Sequence, residues 1–180
     1  MSTHLQQYES IAAPFAAVVA ATDDWAAASP CEGWTAADVL AHVIGTQRDF
    51  LAARGVELPA ATDAASPSQA WRDQDALVRG LLADEGVATA AYEGYFGPTT
   101  LGDTLVQFYG FDLLVHRWDL ARSQGRDERF EASELDTLEG AVAGFGEQLY
   151  AEGICKPALQ PPADADRQEQ LLAKLARAVR

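Results

Sequence analysis

Apolar residues recur along most of this 180-residue chain at intervals of three and four, the spacing of one helix face, and strand-like alternation is scarce. The first periodic segment runs from about Leu5 to Trp25, with Ile11, Phe15, Val18 and Val19 on one side. Ser29-Pro30-Cys31-Glu32-Gly33 breaks it. A second helix is predicted from Thr35 to near Gly55. Thr35 with Asp38 three residues on is a capping-box pattern, in which side-chain oxygens take up free N–H groups of the first turn. A loop rich in Ala, Pro and Asp leads to Ser66-Pro67-Ser68-Gln69, another start: a Ser cap, Pro at the first position and Gln three after the cap. This third helix carries Trp71, Leu77, Leu81 and Leu82 and should end near Gly86.

From Val87 to Pro98 the chain is aromatic and Gly-rich, which reads as a loop or a short extended piece. Within it, Gly94-Tyr95-Phe96-Gly97-Pro98 has the composition of a turn or a pocket mouth. A fourth helix is predicted from Thr99 or Thr100 to Gly125, and a fifth from Ser133 to near Gly153. Lys156 to Asp166, with three prolines, reads as an extended connector before a short polar helix that closes the chain at Arg180. No internal repeat or domain linker is evident. The expectation is an all-α single domain over residues 1–180: a four-helix bundle with an extra C-terminal helix.

Composition narrows the partners. Apolar residues make up 48% and charged ones 22%, the balance of a globular chain with a sizeable core. Acidic residues outnumber basic ones by 27 to 13, for a net charge of −14. Such a surface repels phosphate, so neither nucleic acid nor an anionic membrane is expected as a partner. No apolar run approaches the roughly 20 residues that span a bilayer. The first ten residues lack the basic and apolar regions of a secretory signal. Two cysteines, Cys31 and Cys155, make no disulfide framework, and a reducing cytoplasm is the expected location.

The fourth helix carries the chemistry. On a wheel of about 100° per residue, Leu101, Leu105, Phe108, Tyr109 and Val115 fall close to Asp112 and form the stripe expected to face the core. His116 and Asp119 share that stripe, while Gln107, Gly110 and Arg117 fall opposite. Three ionisable groups on an apolar face must either satisfy one another or bind something, because an unpaired buried carboxylate costs several kcal/mol. Asp112 and His116 are one turn apart and converge, a common way to offer two metal ligands from one helix. The chain has three histidines. His4 is expected to be frayed or solvated near the terminus. His42, at the edge of the Val39, Val43 and Phe50 face of the second helix, is the natural partner across the bundle. Two readings stand: a metal site of His42, Asp112 and His116 with open positions, or two core histidines hydrogen-bonded to Asp112 and Asp119. Asp119 is either the acceptor for the second nitrogen of a ligating histidine or a structural carboxylate. Trp118 should pack against another element, Arg117 and Arg122 should be solvated, and Cys31 and Cys155 read as half-buried thiols.

Several motifs together resemble a known family. Ser29-Pro30-Cys31-Glu32-Gly33-Trp34-Thr35, followed by Asp38-Val39-Leu40-Ala41-His42-Val43, resembles the start of the second helix in DinB-like proteins of actinobacteria. His116-Arg117-Trp118-Asp119-Leu120-Ala121-Arg122 is similar to their H-x-W-D-L-A-R signature, and Pro162 through Leu172 resembles the closing segment of the metal-binding branch. That branch includes mycothiol-dependent maleylpyruvate isomerase and related thiol transferases. The resemblance implies an up-down-down-up bundle with a long crossover. It also implies a divalent metal on His42, Asp112 and His116, with zinc expected before nickel, iron or manganese. The isomerase has Glu where this chain has Asp112, so a shorter carboxylate must reach the metal. The function implied is S-transfer or isomerisation of small electrophiles with a low-molecular-weight thiol of the mycothiol type. The alternatives are a non-catalytic metal- or ligand-binding module and a bundle without metal. A homodimer is the expected assembly.

Overall fold

The computed structural model describes residues 3–59, 66–95, 97–152 and 154–179. Its helices are α1 (Thr3–Ala20), α2 (Ala36–Ala53), α3 (Pro67–Ala83), a single turn α4 (Glu85–Ala88), α5 (Leu101–Ser123), α6 (Ala132–Phe145) and α7 (Arg167–Lys174). An antiparallel hairpin of β1 (Ala91–Gly94) and β2 (Gly97–Thr100) leads into α5. The helix starts follow local chemistry. Thr35 and Asp38 form the expected capping box on α2, Ser66 accepts from the Gln69 N–H ahead of Pro67, and Thr100 accepts from the Asp103 N–H.

The stops differ more. α1 ends at Ala20, short of Trp25, because the Gln124 side chain takes over the backbone there. Its amide oxygen accepts from the Asp24 N–H at 3.0 Å, and its amide nitrogen donates to the Asp24 carbonyl at 2.9 Å. α6 stops at Phe145 because Gly146 turns with φ +53°, and Gly146–Tyr150 continues as a 3-10 turn. The predicted end near Gly153 falls on a residue outside the described ones. α7 is shorter than predicted, and it is amphipathic, with Leu171, Leu172 and Ala173 buried.

Side-chain contacts fix the helix directions. The Tyr109 hydroxyl donates to the Thr46 carbonyl at 3.1 Å, and further along α5 His116 meets His42, so α2 and α5 are antiparallel. His4 pairs with Asp103 at 3.2 Å while Gln124 holds Asp24, so α1 and α5 are parallel. Glu9 pairs with Arg79 and Phe15 packs on Trp71, so α1 and α3 are antiparallel. α1 and α5 thus run one way, and α2 and α3 the other: up-down-down-up. α1 packs on α3 and α5, and so does α2. Consecutive α2 and α3 are parallel, which requires the long crossover. Its described part turns back along α2, where Arg48 donates to the Pro59 carbonyl at 2.5 Å.

The bundle core holds Tyr8, Phe15, Leu40, Val43, Trp71, Leu82, Leu105 and Leu113. Full burial of each aliphatic or Phe side chain among these contributes about 1.5–3 kcal/mol. A second apolar cluster joins α5 to α6 and α7 through Leu114, Val115, Trp118, Phe130, Leu138, Leu171 and Leu172. This corrects three sequence readings. Arg117 is not solvated: it is 3% exposed, beneath this second layer, and its guanidinium forks onto Glu134 at 2.6 and 2.8 Å. Phe108 is not core: it is 47% exposed, one turn before Asp112. His4 is not frayed, because Asp103 holds it within α1. Trp118 does pack against the added layer, and Arg122 is half-buried with its guanidinium over the Trp118 ring.

The Glu134 fork has a measurable pH signature. Burial pushes the Glu134 carboxyl up, but the Arg117 hydrogen bonds outweigh it and hold the group below the usual carboxylate range. A depressed folded-state value stabilises above the unfolded value of about 4.3, and that stability is lost as pH falls through the lower folded value. Urea unfolding should therefore show a wild-type advantage over Glu134→Gln that is constant from about pH 7 to 5 and shrinks below about 4. An advantage unchanged at low pH would show that the pair does not titrate as described.

Candidate metal centre

Trp34, the residue before the α2 cap, lies over both imidazoles, with ring centroids 5.0 Å from His42 and 6.4 Å from His116. The 28–35 loop that presents it is closed by a bridge between Ala28 and Thr35 and by the Trp34 N–H donating to the Cys31 carbonyl at 3.0 Å. Gly33, at φ +80°, permits that tight turn.

His42 from the second turn of α2 meets Asp112 and His116 from α5. Asp112 Oδ1 lies 3.2 Å from His116 Nε2, and Asp112 Oδ2 lies 3.8 Å from His42 Nε2. One ligand atom from each of the three residues lies within 4.8 Å of the others. The side chains of His42 and Asp112 keep 33% and 23% exposure, so the cluster opens toward solvent. Asp112 spans both imidazoles from its place on α5.

The other nitrogen of His116 is engaged. Nδ1 lies 2.9 Å from Asp119 Oδ2. Asp119 is fully buried and also receives Arg177, through Nη2 at 2.7 Å and Nε at 3.2 Å, and the Cys31 thiol at 3.3 Å. Arg177 Nη2 reaches Cys31 Sγ as well, at 3.3 Å. Cys31, His116 and Asp119 therefore form a second cluster of ligand-type atoms, sharing His116 with the first.

Electrostatics follow from these contacts. Burial pushes the Asp119 carboxyl up, but the His116 hydrogen bond and the Arg177 charge hold it at about 2. For Asp112 burial is likewise overcome, by His116 and His42, and its carboxyl stays well below the usual range. Burial pushes the His116 imidazole down, yet Asp112 and Asp119 outweigh it and keep the ring well above its ordinary value.

The structure places His42 beside Asp112 and His116, and Asp119 on the other nitrogen of His116. Cys31 is more than a loop thiol, since it touches Asp119 and Arg177. Cys155 is half-buried at the second apolar cluster, and burial pushes its thiol up. Arg177 is the residue that sequence reasoning missed. After α7 the Ala176 N–H bonds to the Ala173 carbonyl and the Arg177 N–H to the Leu172 carbonyl, with Ala176 left-handed at φ +62°. This turn commonly uses glycine. The alanine here removed the signal that would have marked the return of the chain toward α5. The hairpin turn at 94–97 is a turn as read, although Phe96 lies outside the described residues.

The bundle and its histidine–carboxylate cluster define a class: a DinB-like helical protein with a candidate metal centre. Residues 8–121 match the family described as the mycothiol maleylpyruvate isomerase N-terminal domain, and the chain belongs to that family. The match runs from Tyr8 within α1 through most of α5; α6 and α7 lie beyond it. The chain is also similar to an uncharacterized protein of Mycobacterium tuberculosis found in two strains, 29% identical over 189 aligned residues that include 100% of this chain and 98% of the relative. No solved structure matches it. Among the described residues no helix is long and apolar enough to cross a membrane.

Proposed function

We propose that His42, Asp112 and His116 hold a divalent metal ion, zinc first, and that the protein uses it to activate a low-molecular-weight thiol toward small electrophiles. The observation that carries this reading is the division of labour at His116. Asp119 holds Nδ1, and Nε2 faces Asp112 and His42 on the side open to solvent. A carboxylate on the remote nitrogen sets the tautomer and raises the basicity of a ligating histidine. The fit is chemical as well as spatial. With metal–ligand distances of about 2.0–2.2 Å, one ion can reach all three residues, since one ligand atom from each lies within 4.8 Å of the others.

Two neutral imidazoles and one carboxylate leave a divalent ion with net charge of about +1, which favours an anionic fourth ligand. Such an ion, when bound, lowers the pKa of a coordinated thiol so that it is a thiolate near neutral pH. The chain's part is to orient the ligands and the reactants. Trp34 covers the two imidazoles, and exposed Phe108 offers an apolar surface one turn from Asp112 for an electrophile. The same thiolate chemistry serves transfer and isomerisation, and the family description supports a mycothiol-type thiol.

The test is elemental analysis of zinc-reconstituted wild type beside His42→Ala, followed by assay of mycothiol consumption with an electrophilic reagent. About one equivalent of metal in wild type and little in the variant is expected, with thiol consumption falling at least 100-fold. Equal metal in both would sink the assignment. Stoichiometric metal without thiol consumption would favour a non-catalytic binding module.

A further inference from the structure

His116 is shared by two clusters of ligand-type atoms, and the second already contains a cation. The Arg177 guanidinium lies 2.7 Å from Asp119 Oδ2 and 3.3 Å from Cys31 Sγ, the two atoms that a metal ion on the Nδ1 side of His116 would need. A metal bonds to such atoms at about 2.0–2.3 Å, so it and Nη2 would occupy overlapping space and repel. Thiolate, imidazole and carboxylate are a strong set for a borderline-soft ion, and thiolate is a softer ligand than anything in the first cluster. Left empty, the second cluster would compete for the metal through the other nitrogen of His116.

We propose that Arg177 is a positioning residue that fills the Cys31–His116–Asp119 cluster and thereby directs a divalent ion to the Nε2 side of His116. This rests on the reading of His42, Asp112 and His116 as the metal site. Arg177 performs two tasks with one fork. It neutralises Asp119, so that Asp119 remains an acceptor for the Nδ1–H, and it excludes a second cation from the thiol. The left-handed turn at Ala176 aims the side chain from α7 back toward α5.

Cobalt(II) is the probe, because its absorption separates thiolate from nitrogen and oxygen ligands. Wild type, Arg177→Ala, Arg177→Lys and the double variant Arg177→Ala/Cys31→Ser would each be titrated with cobalt, with circular dichroism to check folding. Wild type is expected to bind cobalt without the near-ultraviolet sulfur-to-metal band. Arg177→Ala should bind at the first site about 10–100-fold more weakly and show the band. The double variant should lose the band, and Arg177→Lys, which keeps the charge, should not develop it. A wild-type protein that binds no cobalt would overturn the site reading itself. A wild-type band abolished by Cys31→Ser would overturn the role of Arg177, since the second cluster would then be the metal site. Cobalt bound by a folded Arg177→Ala with wild-type affinity and no band would overturn it as well. Where the alanine variant does not fold, a sulfur band in wild type or a wild-type-strength site in the lysine variant that shows the band still overturns the role of Arg177.

Discussion

Replacing His116 by alanine is expected to abolish metal binding and also to destabilise the chelator-treated protein by about 3 kcal/mol. His42→Ala should abolish binding at a cost of about 1 kcal/mol or less. The difference lies in burial and partners. His116 is 5% exposed and sits between two carboxylates, at 3.2 Å from Asp112 and 2.9 Å from Asp119. Removing it leaves Asp112 without its nearer partner and strips one donor from fully buried Asp119. Arg177 still serves Asp119, which keeps the loss at the lower end for a broken buried pair. His42 is one-third exposed and 3.8 Å from its carboxylate, so water replaces it readily. For a chain of this length 1 kcal/mol is worth roughly 2–4 °C. Melting of metal-depleted protein should fall by about 6–12 °C for His116→Ala and by no more than about 4 °C for His42→Ala. Equal shifts would show that the carboxylates do not depend on His116.

Arg117→Ala should be strongly destabilising, at about 3–5 kcal/mol, as much as truncating a buried aromatic of the core. Its guanidinium bonds both Glu134 oxygens, its Nε stands 2.8 Å from Glu128, and it lies 5.2 Å from the Phe130 ring centre. The substitution removes the buried cation that joins α5 to α6 and strands two carboxylates against an apolar layer. Denaturant unfolding of Arg117→Ala, Glu134→Ala and the double variant would measure the coupling. The double variant should be less destabilised than the sum of the singles by at least about 1 kcal/mol. Strict additivity would mean that the fork contributes little beyond packing.

The helix starts were legible because capping is local: Thr35, Ser66 and Thr100 each bond an N–H three residues away. The stops were less so. The end of α1 depends on Gln124, about a hundred residues further on, and no window of sequence contains both. At the candidate site, Asp112, His116 and Asp119 stood out as ionisable groups on an apolar stripe, and His42 followed from the small number of histidines. The family resemblance pointed to His42, Asp112 and His116 as well. The wheel misread Arg117 because it supposes one buried face, whereas α5 is buried all round from Leu113 to Ala121 once α6 and α7 cover its far side. Cys31 and Arg177 come from a loop and a turn, where periodicity says nothing about direction.

The antiparallel pairing of helices bears on what attracts a cation to this place. At the end of the bundle where His42 meets His116, α2 and α3 begin while α1 and α5 finish. Two positive helix ends and two negative ones meet there, and their macrodipoles largely cancel. The backbone therefore contributes little net field, and the pull on a divalent ion comes from side chains, Asp112 above all. An Asp112→Asn protein would keep the shape of the cluster and lose most of that attraction.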